Sequence, residues 1–445
     1  MKIFHSRFEH VAIVAGLTTI LCNGACSSSA APKKTSAGGR SSAGGSSDGG
    51  PDAGGAEAVG GVTGAAGATG IGGTTAVGIA DATGGTTVIT PHTGPKMIGK
   101  SVVAGRNYSC ATLEDGTARC WGDNNSGKLG NNSSAASSIP VSVGSLSQAK
   151  QLATGDTHSC ALLADATVRC WGGNTYGQLG NGSVTASNSP VQVSNISTAT
   201  SISSGDYYTC ALTSGGAVFC WGNGSYGQLG NGSSNGSTSP VKVSNISNAT
   251  GIGAGSYHNC AALSDGGVRC WGRNNHAQLG NGSTTDSSFP VTVANVSNAT
   301  TVVAGTYYSC ALLSTGSVQC WGFNAGLIGD GATNVAAQPA AVVNVSTAKA
   351  ISSRGDHTCA LLTSGSVICW GDNTYGQLGL GNQTNGLAPS PVSNINDALS
   401  VSAGLSHTCA ALSDGEVQCW GFNQDGELGS GDTTDSSTPA TVYGF

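Results

Sequence analysis

The sequence is dominated by one phrase that occurs seven times: a cysteine, nine residues, a second cysteine, and then Trp-Gly. The first cysteines of successive copies stand 50 residues apart, except for one step of 49 from Cys310 to Cys359. All seven tryptophans directly follow the second cysteine of a copy. A fixed period of this length is typical of repeat proteins, in which each copy is one structural unit. The copies therefore predict one closed object over residues 97–445, rather than the about three domains that chain length alone would suggest.

Each copy contains four short segments with the apolar and polar alternation of β-strands. In the third copy these segments are residues 190–193, 199–203, 209–212 and 218–221, with Gly, Ser and Asn in the turns between them. The 71 glycines and the 9% of charged residues agree with a turn-rich protein. Four short strands repeated around a centre predict an all-β fold, a seven-bladed β-propeller with four-stranded blades.

A Pro-led strand pattern follows the cysteine–tryptophan core of every copy, whereas none precedes the first core near residue 97. Pro is tolerated at the first position of a strand because no ladder donor is needed there. We therefore expect the C-terminal strand to pair into the first blade and close the ring, which removes the exposed edges of an open array. The prolines that lead these strands are Pro140, Pro190, Pro240, Pro290, Pro339, Pro391 and Pro439.

The two cysteines of each copy flank a tight turn. Cys210 and Cys220 are equidistant from Gly215, so an antiparallel hairpin places them opposite each other. Opposed residues have Cα atoms about 4.5–5.5 Å apart, within disulfide range. Zinc is the alternative, but its ligands cluster at short spacing and no such cluster recurs. The sequence predicts no metal or other cofactor, and disulfides that join Cys110 to Cys120, Cys160 to Cys170, Cys210 to Cys220, Cys260 to Cys270, Cys310 to Cys320, Cys359 to Cys369 and Cys409 to Cys419.

Residues 1–26 have the features of an export signal. Lys2 and Arg7 precede an apolar run that is too short to span a bilayer. Two cleavage sites stay open. Residues 28–30 suit an ordinary signal peptidase, whereas the residues ending at Cys26 resemble a lipobox, which would make that cysteine a lipid carrier. We expect an exported protein, either a lipoprotein at the outer surface or in the periplasm, or a secreted protein.

Charge and composition narrow the classes of partner. Residues 27–96 consist mainly of Gly, Ala, Ser and Thr and predict a disordered tether before the propeller. The net charge of −6 comes from 17 basic and 23 acidic residues without a basic cluster in the repeats, which argues against nucleic acid as a partner. No apolar stretch in the repeats approaches the roughly 20 residues of a membrane helix, so the only membrane contact expected is a lipid anchor. We expect a monomer.

The second copy, residues 155–180, contains Gly-Asp-x-His-x-Cys-Ala-Leu and then Val-x-Cys-Trp-Gly-x-Asn-x-x-Gly-Gln-Leu-Gly, and residues 205–230 follow it closely. This phrase resembles the regulator of chromosome condensation repeat family, and the resemblance covers all seven copies. It implies a seven-bladed propeller. The cysteine-paired version resembles the extracellular domains of some plant receptor kinases. The family also includes a secreted bacterial β-lactamase inhibitor that binds through one face of its ring.

In those relatives the partner contacts come from the loop just ahead of the first cysteine. In this chain that loop varies between copies while its frame stays fixed, and Tyr207, Tyr257 and Tyr307 on consecutive blades would form an aromatic arc. Tyrosine is enriched where binding energy concentrates. The position two residues before each first cysteine is always His or Tyr, and we expect it to hydrogen-bond or pack within its blade. The predicted partner-binding residues are Arg106, Asn107, Asp156, Asp206, Tyr207, Tyr257, Tyr307, Arg354 and Asp356.

Three functions are compatible with these features. The first is a non-catalytic module that binds another protein through one face of the propeller. The second is a lectin-like module in which the tyrosines stack on sugars. The third is a glycan-active enzyme, since Asp156 and Asp206 could face the same rim, and paired carboxylates can hydrolyse glycosidic bonds. The histidines recur with the repeats, as structural residues do, and no copy combines a nucleophile with a uniquely placed base, so we favour the first.

Overall fold

The computed structural model describes residues 78–80, 86–88 and 96–445. The predicted signal segment and the predicted lipid carrier Cys26 lie outside the described residues, as does most of the predicted tether. Two short strands within it, β1 (Gly78–Ala80) and β2 (Thr86–Val88), pair as an antiparallel hairpin.

Residues 99–441 form seven sheets of four antiparallel strands each, with no helix among the residues described. The first strands of the blades are β3 (Gly99–Ala104), β7 (Ala149–Thr154), β11 (Ala199–Ser204), β15 (Ala249–Ala254), β19 (Ala299–Ala304), β23 (Ala348–Arg354) and β27 (Ala398–Ala403). The second strands are β4 (Tyr108–Leu113), β8 (His158–Leu163), β12 (Tyr208–Thr213), β16 (His258–Leu263), β20 (Tyr308–Leu313), β24 (His357–Leu362) and β28 (His407–Leu412).

The third strands are β5 (Ala118–Gly122), β9 (Val168–Gly172), β13 (Val218–Gly222), β17 (Val268–Gly272), β21 (Val318–Gly322), β25 (Val367–Gly371) and β29 (Val417–Gly421). The fourth strands are β6 (Ser137–Ser142), β10 (Ser187–Gln192), β14 (Ser237–Lys242), β18 (Ser287–Thr292), β22 (Ala336–Ala341), β26 (Gly386–Pro391) and β30 (Ser436–Thr441). The first strands contact one another in order around a central channel, and β27 contacts β3. The predicted seven-bladed β-propeller is confirmed.

The route by which the ring closes differs from the prediction. We expected each Pro-led strand to begin a blade and the C-terminal strand to complete the first one. Instead, β10, which contains Pro190, pairs with β9 of the copy before it, and the C-terminal β30 pairs with β29. Each Pro-containing strand is thus the fourth strand of the blade that precedes it in the chain, and it adds to the free edge of the third strand, where a residue without an N–H is tolerated. Each blade is therefore one continuous stretch of chain.

The last and first blades meet through the same contacts as any other two blades. The Gly99 N–H donates to the Gly415 oxygen at 3.0 Å, just as Ala149 donates to Gly116 at the next interface. Residues 442–445 add a packing contact to this interface between the last and first blades, which we call the seam. Phe445 is buried there, with its ring centre 6.0 Å from that of Trp121. Ring closure consequently rests on blade-to-blade packing and needs no exchanged strand.

Every tryptophan is fully buried between two blades. The indole N–H of Trp221, for example, donates to the backbone oxygen of Gln178 in the preceding blade at 2.9 Å, and five other tryptophans make the equivalent bond. Trp370 has no such partner among the described residues. The loop of blade 5 that faces Trp370 is one residue shorter than the equivalent loop in the other blades, which accounts for the step of 49 residues. The missing hydrogen bond therefore coincides with the shortened loop.

The predicted disulfides are all present. Cys210 lies directly opposite Cys220 on β12 and β13, with a Cα–Cα distance of 4.1 Å. In the other six bridges the Cα atoms are 4.0–4.1 Å apart. Each bridge joins the second and third strands of one blade, so it stabilises that blade but makes no link between blades. These six bridges join Cys110 to Cys120, Cys160 to Cys170, Cys260 to Cys270, Cys310 to Cys320, Cys359 to Cys369, and Cys409 to Cys419.

We expect Phe445→Ala to lower the free energy of unfolding by about 3 kcal/mol, because it removes a buried ring from the seam between blades 7 and 1. Leu399→Ala in the same blade is the control, since Leu399 is 56% exposed, and should change stability by less than about 0.5 kcal/mol. Urea unfolding followed by tryptophan fluorescence measures both. Equal stability of the two variants would contradict the role of residues 442–445 in closing the ring.

Candidate partner-binding face

The loops between first and second strands and those between third and fourth strands meet at one end of the propeller, which we call the loop face. Backbone hydrogen bonds join the two kinds of loop within each blade. The Asn223 N–H donates to the Tyr207 oxygen at 2.9 Å, and the Asp123 N–H donates to the Asn107 oxygen at 2.8 Å. Side chains from both loops are therefore presented together.

Aromatic side chains pair across three consecutive blade interfaces on this face. The ring centres of Tyr176 and Tyr207 are 5.3 Å apart, and those of Tyr226 and Tyr257 are 5.5 Å apart. In the next interface the ring centre of His276 lies 4.6 Å from that of Tyr307 and 5.2 Å from that of Phe323. Tilted and edge-on arrangements at these distances are favourable for aromatic pairs. We call this set the aromatic arc; it consists of Tyr176, Tyr207, Tyr226, Tyr257, His276, Tyr307 and Phe323.

The sequence predicted three of the seven residues of the aromatic arc. Tyr207, Tyr257 and Tyr307 do lie on consecutive blades, but each packs on a residue of the preceding blade that sequence reasoning missed. The signal was present: the residue before the loop Gly or Ala is aromatic or His in four copies, at Tyr176, Tyr226, His276 and Tyr375. In three of them it stands 31 residues before the predicted tyrosine.

Arg273 lies among the aromatic arc. Its guanidinium carbon is 4.8 Å from the ring centre of Tyr226, 5.3 Å from Tyr257 and 5.6 Å from Tyr307. These distances are within the range of cation–π attraction. One cation thus connects aromatic side chains from blades 3, 4 and 5.

The remaining sector of the loop face carries more polar and acidic side chains. Where Tyr176 meets Tyr207 between blades 2 and 3, Asp425 meets Asn107 between blades 7 and 1, and the Asn107 amide donates to the Asp425 carboxylate at 2.9 Å. In blade 6 the loop face carries an exposed Asp356. The loop face therefore has an aromatic sector over blades 2–5 and a more acidic sector over blades 6, 7 and 1.

The acidic sector also contains the partly exposed Asp372 and a separate aromatic pair, Tyr375 and Phe422, with ring centres 4.9 Å apart.

Asp156 supports the aromatic arc from below. It is only 6% exposed, and the Arg106 guanidinium lies 3.4 Å from its carboxylate. A hydrogen bond to this carboxylate, together with burial, raises the pKa of the Tyr207 hydroxyl well above its usual range. Asp156 thereby fixes the orientation of Tyr207, which is partly exposed, while Arg106 is exposed.

Arg354 reaches across the central channel. It belongs to blade 6, yet its guanidinium donates to the backbone oxygens of Thr154 and Ser204 in blades 2 and 3. It also lies 3.7 Å from the Asp206 carboxylate, and both side chains are largely buried. Burial raises the pKa of Asp206, and the charge of Arg354 partly offsets this effect. Arg354 lines a channel cavity of about 180 Å³.

An arginine fits at residue 354 because the local turn differs from that of the other blades. The equivalent residue is Gly in the other six copies. At Gly205 an added Cβ would lie 2.1 Å from the Tyr208 ring, so a side chain is excluded there. In blade 6, Arg354 pairs with His357 and extends β23, while Gly355 takes a φ of +57° that favours glycine.

The predicted carboxylate pair is thus engaged in charge pairing. The Asp156 N–H donates to the Asp206 backbone oxygen at 3.0 Å, which places the two residues on adjacent blades as predicted. Each carboxylate, however, lies beside an arginine. Among the described residues, no group of three or more His, Cys, Asp or Glu side chains could hold a metal ion. The same part of the chain contains no helix that could cross a membrane.

The His or Tyr two residues before each first cysteine is fully buried. Its hydrogen bond runs to the next blade, whereas we expected one within its own blade. The Tyr208 hydroxyl donates to the His258 oxygen at 2.7 Å, and His258 Nε2 lies 2.8 Å from the Ser309 hydroxyl. His407 Nε2 and the Ser109 hydroxyl, 2.8 Å apart, repeat this contact between the last and first blades. We call these seven residues the belt; they are Tyr108, His158, Tyr208, His258, Tyr308, His357 and His407.

Burial lowers the pKa of the four belt histidines, to about 3 for His158, His258 and His407 and about 4 for His357. In the unfolded chain these groups titrate near pH 6.5. As the pH falls below about 6.5, the unfolded chain takes up protons that the folded protein does not, so stability decreases.

We expect His258→Tyr to reduce this acid sensitivity, because Tyr occupies the same belt position in blades 1, 3 and 5 and does not titrate in this range. The wild type should lose up to about 1.4 kcal/mol more per pH unit below pH 6 than the variant. Melting temperatures measured from pH 7 to pH 4 test this, and the difference between the proteins separates His258 from the carboxylates. Parallel curves would contradict a neutral buried His258.

We expect Arg354→Ala to lower the free energy of unfolding by roughly 2 kcal/mol, since Asp206 would stay largely buried without its cation. Lys96→Ala is the matched control. Both members of its ion pair with Glu416 are substantially exposed, at 47% and 31%, so its loss should cost less than about 1 kcal/mol. Urea unfolding measures both. If Lys96→Ala is the more damaging change, the contact across the channel is not a significant source of stability.

Comparison with known proteins agrees with this architecture. Residues 63–353 match the RCC1-like domain, and residues 364–411 match the regulator of chromosome condensation (RCC1) repeat. A second description of that repeat matches residues 349–377 and 399–427. No curated protein matches the chain.

Solved structures share the fold at low sequence identity. Prp20p from Saccharomyces cerevisiae, studied with its binding properties to Gsp1p and histones, is 20% identical, with a TM-score of 0.64 over 78% of this chain and 87% of Prp20p. Human WBSCR16 is 22% identical, with a TM-score of 0.64 over 73% of this chain and 89% of that chain. With the family match spanning more than half of its length, this chain belongs to the RCC1-like domain family.

Proposed function

We propose that this protein is an exported, non-catalytic scaffold that binds another protein through the aromatic arc on its loop face. The observation that carries the proposal is the arc itself, a continuous run of paired aromatic side chains across four blades. Tyr176 is 48% exposed and Tyr226 is 37% exposed, so the rings are open to a partner. Clustered aromatic side chains are typical of the residues that dominate binding energy at protein interfaces.

The frame beneath the arc supports this role because it holds the rings in place before binding. Tyr207 hydrogen-bonds to the nearly buried Asp156, and the neighbouring Tyr208 is locked in the belt. Ordered side chains lose less conformational entropy when a partner binds. The partners of yeast Prp20p, Gsp1p, histones and Kap60, are proteins, which agrees with a protein ligand for a propeller of this family.

Export is supported by the disulfides and the first residues of the chain. Seven disulfides, one in each blade, suit an oxidising compartment. Lys2, Arg7 and the apolar run after them have the order of an export signal. The partner is therefore expected on the cell surface, in the periplasm or outside the cell.

We expect the triple variant Tyr207→Ala, Tyr257→Ala, Tyr307→Ala to bind its protein partner at least about 100-fold more weakly, since each hot-spot tyrosine contributes on the order of 1–2 kcal/mol. The partner is first captured from periplasmic and surface fractions with the full mature protein and identified by mass spectrometry. Affinities are then measured with the purified partner. Phe289→Ala is the matched control, because Phe289 is a 50% exposed aromatic on β18, outside the loop face.

A glycan array probed with the wild type and the triple variant separates protein binding from sugar binding. Glycan binding that depends on the three tyrosines, without a protein partner, would favour the lectin-like function. Full binding of the captured protein by the triple variant would reject the aromatic arc as the contact surface.

A further inference from the structure

We infer that the partner presents an acidic side chain, an Asp or Glu carboxylate, to Arg273 at the centre of the aromatic arc. This inference rests on the proposed function and specifies the chemistry that the arc recognises. It starts from an imbalance on the loop face, where one cation has no acid beside it.

Three other cations of the loop face are each paired with a carboxylate. The Lys128 amine lies 2.7 Å from Asp123, and Arg106 lies 3.4 Å from Asp156. Arg354 faces Asp206 at 3.7 Å. The charge of each of these three cations is therefore balanced by an acid of the protein itself.

Arg273 differs because its neighbours are rings. Its guanidinium carbon lies 4.8–5.6 Å from the ring centres of Tyr226, Tyr257 and Tyr307. Within residues 96–445, its side chain makes no ion pair with a carboxylate and donates no hydrogen bond. Arg273 is partly exposed, and its guanidinium carries five N–H donors that the surrounding rings leave without a hydrogen-bond acceptor, so these donors are available to an external anion.

A guanidinium held in this way is well suited to a carboxylate. Its planar fork matches the two oxygens of a carboxylate, and the resulting charged hydrogen bonds are stronger than neutral ones. Arginine is also more weakly hydrated than lysine, so less hydration is lost when an anion binds. The surrounding rings exclude water once a partner docks, which strengthens the pairing further.

The charges of the loop face also orient such a partner. The sector over blades 6 and 7 contains Asp356, Asp372 and Asp425, and these would repel an acidic group. The sector over blades 3–5 contains Arg273 and the tyrosines, and its exposed Asp286 accepts a hydrogen bond from the Asn274 N–H at 2.7 Å. An acidic residue of the partner is therefore directed to Arg273, with apolar residues beside it to cover the rings. Juxtaposed like charges suppress alternative orientations of a complex.

Peptide selection on the full mature protein tests the inference while the natural partner is still unidentified. A random displayed peptide library is selected on the wild type and depleted on the variant Tyr207→Ala, Tyr257→Ala, Tyr307→Ala. We expect the recovered peptides to contain an Asp or Glu next to apolar residues. Their affinities are then measured in solution for the wild type, for Arg273→Gln and for the control Arg269→Gln, which lies in β17 of the same blade.

We expect Arg273→Gln to weaken binding of the peptides about tenfold or more, and Arg269→Gln to leave it unchanged. Changing the peptide carboxylate to its amide should have the same effect, and the two changes together should be no worse than either alone. Arg273→Lys keeps the charge but loses the planar fork, and it should also weaken binding.

Two outcomes would overturn the inference, and they are distinguishable from failure of the proposed function. Peptides that need the three tyrosines but lack an acid, or that bind Arg273→Gln as well as the wild type, would reject an acidic partner and leave the aromatic arc as the contact surface. Binding of inorganic phosphate to the wild type but not to Arg273→Gln, with acid-independent peptides, would assign Arg273 to a phosphate ligand instead. If no peptide depends on the tyrosines, the proposed function itself fails.

Discussion

The contact between neighbouring blades is the interaction on which the rest of the structure depends. Each disulfide joins two strands of the same blade, so it cannot hold the ring together. That task falls to the buried tryptophans, six of which donate to the preceding blade, and to the belt, whose side chains reach the following blade. Trp121 donates to the Glu427 oxygen at 2.9 Å, and His407 meets Ser109 at 2.8 Å. The interface between the last and first blades therefore has both of these contacts, like the other interfaces except the one that contains Trp370.

The number of blades and the pairing of the cysteines could be predicted because both follow from local sequence. Cys210 and Cys220 are related by one hairpin, and the hairpin is defined by eleven consecutive residues. The boundary of a blade could not be read in the same way. A sequence with a 50-residue period can be divided at any point, and Pro190 fits the start of one blade as well as the end of another. Only the pairing of β10 with β9 decides between them.

Prediction of the candidate site from the sequence has the same limit, because its contacts join residues that are far apart in the chain. Tyr207 could be predicted because its position in the repeat is occupied by different residue types in different copies. Tyr176 contributes to the same surface only after two blades are packed together. Arg354 stands out in the sequence as a replacement for Gly, yet its partners Thr154 and Ser204 lie 200 and 150 residues away. No local pattern indicates that a side chain of blade 6 crosses the channel to blades 2 and 3.

The loop face can vary because adjacent residues have separate tasks. Tyr208 is locked in the belt, whereas Tyr207, one residue earlier, points to the loop face and has no part in the belt. In blade 1 the position of Tyr207 is occupied by Asn107. There Asp425 replaces the aromatic residue of the preceding blade, and a hydrogen bond of 2.9 Å replaces the contact between rings. Polar and aromatic pairs are thus interchangeable at one site in the frame. The same frame can consequently present an aromatic sector with Arg273 at its centre and an acidic sector beside it. In the proposed complex, this asymmetry gives a symmetric ring a preferred direction for its partner.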